Sequence, residues 1–524
     1  MAIAPETNPV SADAKNIGII RLVTVNALMV VAMLVIGLAN IAWAERLTFN
    51  NGLGWDGAVY ASWVRDFYQS IFVRGVPDYY AHRILPSAIV HYCMRALGVP
   101  LADRNIILSF DIYNLSLLLL STYLWGRIAD KLQIRNQGKW LGFCFLFLNY
   151  AILKNNFYHS VLTDTSAFAL GIIMFYCFIT GNRIGLIAIM LAGGFTWPTV
   201  LPMAALLYVF PYQPLRVKDE STAAPPRYKL RIVFASGVCI FVFIGYAYLL
   251  QPDRFAKWLQ ILGWGLRVNT SVLYLSVLAV ILYLFFSLLT AADRRLFDPA
   301  YILQAIRWKR VAVAVVAWAI VKLAVGQLAS GEVISWDVNG FVVQTFLSSV
   351  TEPSIFLVAH VIYYGPAILL LVFLWNPFCR SIVDFGPGLR LFMILNVILS
   401  INPQSRYQIN IVTTFIIVLV RMLDRRGLQY LSTPFWALLC LFYSKFWYIF
   451  NSGPQVYDGM ESLLRFPLQH YFMNSGPWMS HEMYLVQGGV VALTAIMLYF
   501  LVIKNRYQIH AFRAFQPDAF KQEE

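Results

Sequence analysis

The sequence predicts an all-α fold, a polytopic bundle of membrane-spanning helices, and three observations carry that prediction. Of 524 residues, 59% are hydrophobic and only 13% charged, where a soluble domain carries about a quarter. The apolar residues fall in runs near the ~20 needed to cross a bilayer. Lys and Arg gather in short segments between alternate runs, as the positive-inside bias requires. The net charge of +14 therefore reflects topology. No basic stretch carries interleaved aromatics, so no nucleic-acid partner is expected.

Residues 1–18 read as a cytoplasmic N-terminus and 19–43 as the first span. That run is too long for a signal-peptide core and lacks a small-residue cleavage site. A polar and aromatic outer loop follows over 44–104, then a second span over 106–125. Arg127, Lys131, Arg135 and Lys139 mark the next connection as inner. A third run, 140–153, leads out to 154–163, and a fourth, 164–180, returns. Between 184 and 210 the apolar stretch is interrupted by Gly193, Gly194 and Pro198. Two short half-spans turning at 195–198 keep the basic loop 216–231 inside, where a single span would expel it.

The remaining expected spans are 233–250, 271–289, 311–327, 355–375, 391–401, 409–420, 434–450 and 484–503, with 504–524 as a cytoplasmic tail. The total is about 11–14 crossings, both ends inside, in a single domain over the whole chain. Cys93, Cys144, Cys177, Cys239, Cys379 and Cys440 lie scattered, mostly within apolar runs and without metal-binding spacing. They read as small core residues.

The first outer loop holds the densest chemistry. A Gly-rich turn, Asn51-Gly-Leu-Gly, frees the backbone to set Trp55 and Asp56 at the membrane surface. Trp63, Phe67, Ile71 and Phe72 then recur at helical spacing opposite Arg65, Asp66 and Gln69, which predicts interfacial helix lying flat. Tyr60, Tyr79, Tyr80 and His82 are residue types that stack on and hydrogen-bond to sugars, and Arg83 adds positive charge. The second outer loop offers His159 and then Thr163-Asp164, a pair that could instead cap the following helix. Arg406, beside Tyr407, stands at the outer end of a late span. Against the charge bias, such an Arg calls for a partner, and its planar fork suits a lipid phosphate. The loop 451–483, with Tyr457, Asp458, Glu461, Arg465, His470, Trp478, His481 and Glu482, reads as an acceptor-side lid. Glu332, Trp336 and Asp337 are unspecific.

Taken together these features resemble the GT-C superfamily, the polytopic glycosyltransferases that use polyprenyl-phosphate sugars. The similarity lies in Trp55-Asp56-Gly57 with Tyr60, Tyr80-x-x-Arg83-x-Leu85-x-Pro86, Leu162-Thr163-Asp164-Thr165 and Ser405-Arg406-Tyr407. The resemblance implies that Asp56 is the catalytic base, Asp164 the second acidic position, and Arg406 the phosphate contact. It implies a polyprenyl-phosphate sugar donor, a lipid, glycan or protein acceptor, and an active site on the extracytoplasmic side. The bacterial inner membrane is the expected location. The first loop lacks an Asp-x-Asp or Glu-x-Asp pair, which leaves open whether a divalent cation takes part. Three rivals predict other features: a transporter or flippase needs charge at mid-membrane, where Asp111 and Lys322 are the main candidates. A glycan polymerase or ligase typically bears a long late outer loop rich in Arg. A membrane acyltransferase needs a deep His, and His360 reads better as a helix-packing residue.

Overall fold

A computed structural model describes residues 11–212, 270–291, 299–329, 338–426, 432–451 and 476–504. The expected span at 233–250, the basic loop 216–231, Cys239, Glu332, Trp336 and Asp337 lie outside the described residues. So do the lid candidates from Tyr457 to His470 and the tail beyond 504. Within the described residues every regular element is a helix, and the one β-contact is an isolated bridge between Val76 and Ala329.

Six helices are long and apolar enough to cross a membrane: Val25–Trp43, Asp103–Lys131, Leu273–Ala291, Trp308–Leu328, Ser405–Arg425 and His481–Leu501. The chain is thus a multi-pass membrane protein by length and composition. The 405–425 helix is nearly sheathed by its neighbours, whereas Val25–Trp43 shows most of its surface outward. Other expected crossings are shorter apolar helices, among them Asp164–Thr180, Arg183–Gly194, Val200–Val209, Pro387–Leu399 and Thr433–Ser444. Twelve residues of helix such as Arg183–Gly194 rise only about 18 Å, well short of a hydrocarbon core of about 30 Å.

Three departures from the sequence reading have physical causes. The expected continuous span at 355–375 is two helices, Ile355–Tyr364 and Pro366–Phe373, broken at Gly365-Pro366, with a further 85° turn before Trp375–Phe385. The stretch after Asp56 is no single interfacial helix. It stops at Arg65, because Asp66 leaves helical geometry, and resumes as a short wide turn over Gln69–Val73. Its apolar stripe faces protein: Trp63, Phe67 and Ile71 are buried, and only Phe72 stays exposed. The third run ends as a helix at Phe147, where Asn149 caps the turn Tyr150–Asn155 by accepting from the Ile152 amide at 3.1 Å.

The interrupted stretch is a helical hairpin, Arg183–Gly194 against Val200–Val209. A Cβ on Gly193 would stand 2.3 Å from Val200 Cγ1, so glycine sets how closely the two arms approach. The hairpin tip meets the first outer loop, where the Leu85 amide donates to Phe195 O at 2.9 Å. The Val76 amide likewise donates to Leu328 O at 2.9 Å. The opposite end carries the cations: Arg135 pairs with Asp424 at 3.3 Å and Lys139 with Asp130 at 2.5 Å. Described cysteines are free and, apart from Cys93, buried.

Candidate active site

Asp56 opens the helix Asp56–Arg65, and the turn before it determines where the carboxylate goes. Asn50, Asn51, Gly52 and Gly54 all have positive φ, and Asn50 Nδ2 donates to Gly54 O at 2.8 Å to close the turn. Trp55 then stacks on Phe49 with ring centroids 4.8 Å apart. Gly54 is doubly required: its φ is +71°, and a Cβ there would sit 2.3 Å from His159 Nε2. That nitrogen donates to Leu53 O at 3.0 Å. Burial and the nearby Arg406 push the His159 imidazole down to about 4, so the ring is neutral near pH 7.

Asp164 is the first residue of Asp164–Thr180, and its carboxylate does not cap that helix. It receives the Arg406 fork instead, Nε to Oδ1 at 2.8 Å and Nη2 to Oδ2 at 2.9 Å. This is a bidentate pair of the strong kind. Arg406 Nη1 lies 3.8 Å from Asp56 Oδ2, so one guanidinium bridges two carboxylates that lie on different helices. The Tyr80 hydroxyl donates to Asp56 Oδ1 at 3.3 Å. Asp56 and Arg406 keep about a quarter of their side chains exposed, 26% and 25%, while Asp164 keeps 6%. The bridging charge therefore lies at an open face and the anchoring carboxylate beneath it.

Arg406 is placed by the short turn Ser405–Gln408. The Tyr364 hydroxyl donates to Ser405 O at 2.6 Å. His360 Nε2 donates to Ser400 O at 2.8 Å, which leaves Nδ1 of the neutral ring to accept from Ser405 Oγ at 2.9 Å. Both ring nitrogens of His360 are thus engaged in packing, as read from the sequence.

Arg83 is buried, its guanidinium sandwiched between the rings of Tyr79 and Trp197 at 4.5 Å each, with Nη1 donating to the Tyr60 hydroxyl at 3.4 Å. Burial raises the hydroxyls of Tyr60 and Tyr80 above their ordinary range, and Asp56 adds to it. Tyr407 shares a hydrogen bond with Tyr79 and packs on Trp197. His82 reaches elsewhere, its Nδ1 donating to Gly194 O on the hairpin tip at 2.8 Å. The structure thus gathers Asp56, Tyr80, His159, Asp164 and Arg406 into one cluster. Tyr60, Tyr79, Arg83 and Tyr407 adjoin it as a second, and His82 serves as a tie.

Trp197 and Glu45 were not singled out from the sequence. Trp197 had a signal, a Trp-Pro at the interruption of an apolar stretch. Glu45 is the first acidic residue after the first span, and its carboxylate accepts from the amides of Phe450 at 2.6 Å and Asn451 at 2.9 Å, and from Lys154 Nζ. Asp111, the mid-membrane candidate of the sequence, is engaged by Arg46 at 2.6 Å and by Ser160 Oγ at 2.6 Å, both from the outer loops. Lys322 is exposed on the surface of Trp308–Leu328.

Among the described residues no group of three His, Cys, Asp or Glu side chains is disposed to hold a metal ion. The two carboxylates that a divalent cation would share already share Arg406, so a cation fits between them only by displacing that guanidinium. No family model, curated protein or solved structure matches the chain.

Proposed function

We propose that the chain is a membrane glycosyltransferase of GT-C type that moves a sugar from a polyprenyl-phosphate donor to an acceptor hydroxyl at the extracytoplasmic face. The observation that carries this reading is the partly exposed Asp56 carboxylate, held by Tyr80 and Arg406 in reach of a second, buried carboxylate. An isolated loop carboxylate would have no need of such support.

The chemistry follows from that geometry. Asp56 takes the proton of the acceptor hydroxyl as its oxygen attacks the anomeric carbon. The bond from that carbon to the phosphate oxygen breaks, and its electron pair leaves with the polyprenyl phosphate. Direct displacement inverts the anomeric centre through an oxocarbenium-like transition state. The leaving group is already a phosphate and needs no acid. It needs fixed positive charge, which the remaining N–H groups of Arg406 supply by contact and buried Arg83 by its field. Tyr79, Tyr80 and Tyr407 offer rings and hydroxyls to the sugar, with neutral His159 behind the turn. Pairing of Asp111 with Arg46 and the outward position of Lys322 weigh against the transporter reading.

The test is mass spectrometry of lipids retained by the purified protein, together with single-turnover transfer from a synthetic polyprenyl-phosphate hexose. Wild type and Asp56→Asn should retain a polyprenyl-phosphate sugar, and Arg406→Ala should lose it. Asp56→Asn should slow transfer by about 10²–10⁴-fold. Ordinary phospholipid alone in all three proteins would overturn the donor assignment. A retained long glycan on pyrophosphate would replace it with the polymerase or flippase reading.

A further inference from the structure

At the end of the bundle away from Asp56, each cation of the pairs Arg135–Asp424 and Lys139–Asp130 has its own carboxylate. A third carboxylate, Asp384, departs from that one-to-one pairing. Asp384 Oδ2 is shared by Arg421 Nη2 and Arg425 Nη1, both at 3.2 Å. Arg421 is the buried member, its side chain 6% exposed, and its guanidinium lies over the Phe385 ring at 4.6 Å. The N–H groups lie in the guanidinium plane, so the ring contact meets none of them. Nε and Nη1 are buried and meet no acceptor among the described residues. Two buried guanidinium donors without acceptors are costly, and a phosphate has oxygens to satisfy both.

The surroundings point to a lipid as the source of that phosphate. After the 85° turn, Trp375–Ile382 runs across the direction of Pro366–Phe373 and is amphipathic. Phe378, Cys379 and Ile382 are buried against the protein while Asn376 and Arg380 are exposed, so the helix turns its polar face, with the Arg380 cation, outward. It leads straight into Asp384 and Phe385. Arg425, 53% exposed, stands at the rim. The Lys and Arg distribution assigns this end to the cytoplasm, where anionic lipids attract basic side chains.

We propose that Arg421 and Arg425, flanking Asp384, form a headgroup site for an anionic phospholipid of the inner leaflet. The site is separate from the Asp56 cluster and does not depend on the catalytic reading. Asp384 competes with the lipid phosphate for both guanidinium groups and keeps the site moderate in affinity.

Native mass spectrometry of the delipidated full-length protein, titrated with phosphatidylglycerol or phosphatidylcholine of the same acyl chains, tests this. Phosphatidylglycerol should bind more tightly, and Arg421→Gln or Arg425→Gln should each weaken it by about fivefold. Asp384→Asn should strengthen it, which a merely structural ion pair would not do. Arg425→Gln and Asp384→Asn keep the test open should the buried Arg421 variant fail to fold. Equal binding of the two lipids, unchanged binding in Arg425→Gln, or weakened binding in Asp384→Asn would each overturn the proposal. Displacement of phosphatidylglycerol by inorganic phosphate alone would show a free-anion site and overturn the lipid assignment.

Discussion

Arg406 couples two carboxylates, and the coupling gives it separable roles in stability and chemistry. Removing its charge leaves the buried Asp164 carboxylate without its fork, which costs about 3 kcal/mol by comparison with other broken buried pairs. Arg406→Leu should therefore lower the thermal unfolding temperature in detergent, and Asp164→Leu added to it should recover much of the loss while transfer stays abolished. Equal unfolding temperatures for single and double variants would refute the coupling. His159 gives a pH prediction. The unfolded chain takes up its proton near 6.5 and the folded chain only near 4, so in that window the unfolded state binds more protons. Its contribution to stability is present above pH 6.5 and is lost as pH falls toward 4, on the order of 3 kcal/mol in all. Unfolding measured at pH 7 and pH 5 should show a larger drop for wild type than for His159→Gln. At this scale the sequence was partly legible. Asp56 and Asp164 stood out as carboxylates beside span ends, and Arg406 as a cation on the wrong side. That they form one bridge was not legible, because Arg406 and Asp164 are 242 residues apart and no local pattern encodes their meeting.

Elements were legible where apolar runs were long and unbroken, and less so where glycine and proline interrupt them. The hairpin at 183–209 was readable because the charge bias and the Gly-Gly and Pro interruptions agreed on a turn. Gly193→Leu should force its arms apart against Val200, lowering the unfolding temperature and, through Trp197 over Arg83, slowing transfer. Unchanged stability would show that the arms adapt without cost. The stripe Trp63, Phe67 and Ile71 misled for a definite reason: helical periodicity marks a face that avoids water, and lipid and protein satisfy it equally. The break at Gly365-Pro366 hid within a run whose hydropathy alone favours a continuous span.

Across the whole molecule the two ends differ in kind. One carries carboxylates, tyrosines and the long first loop; the other carries paired and shared arginines. In a background with Cys93→Ser and Cys239→Ser, a cysteine at exposed Gln69 should react with an impermeant maleimide on intact cells, and one at Arg425 only after permeabilisation. The reverse pattern would invert the topology. The first loop also closes the fold over distance, with Glu45 accepting from the Phe450 amide 405 residues later. During synthesis at roughly 5–20 residues per second, that interval is roughly 20–80 s. The newborn membrane segment therefore carries both Asp56 and Asp164 through the 242 residues that separate Asp164 from Arg406, before that cation exists to neutralise them. A chain interrupted before the 405–425 helix holds the acidic half of the centre without its cation. Completion of the 405–425 helix is thus the event that joins the two carboxylates through one guanidinium.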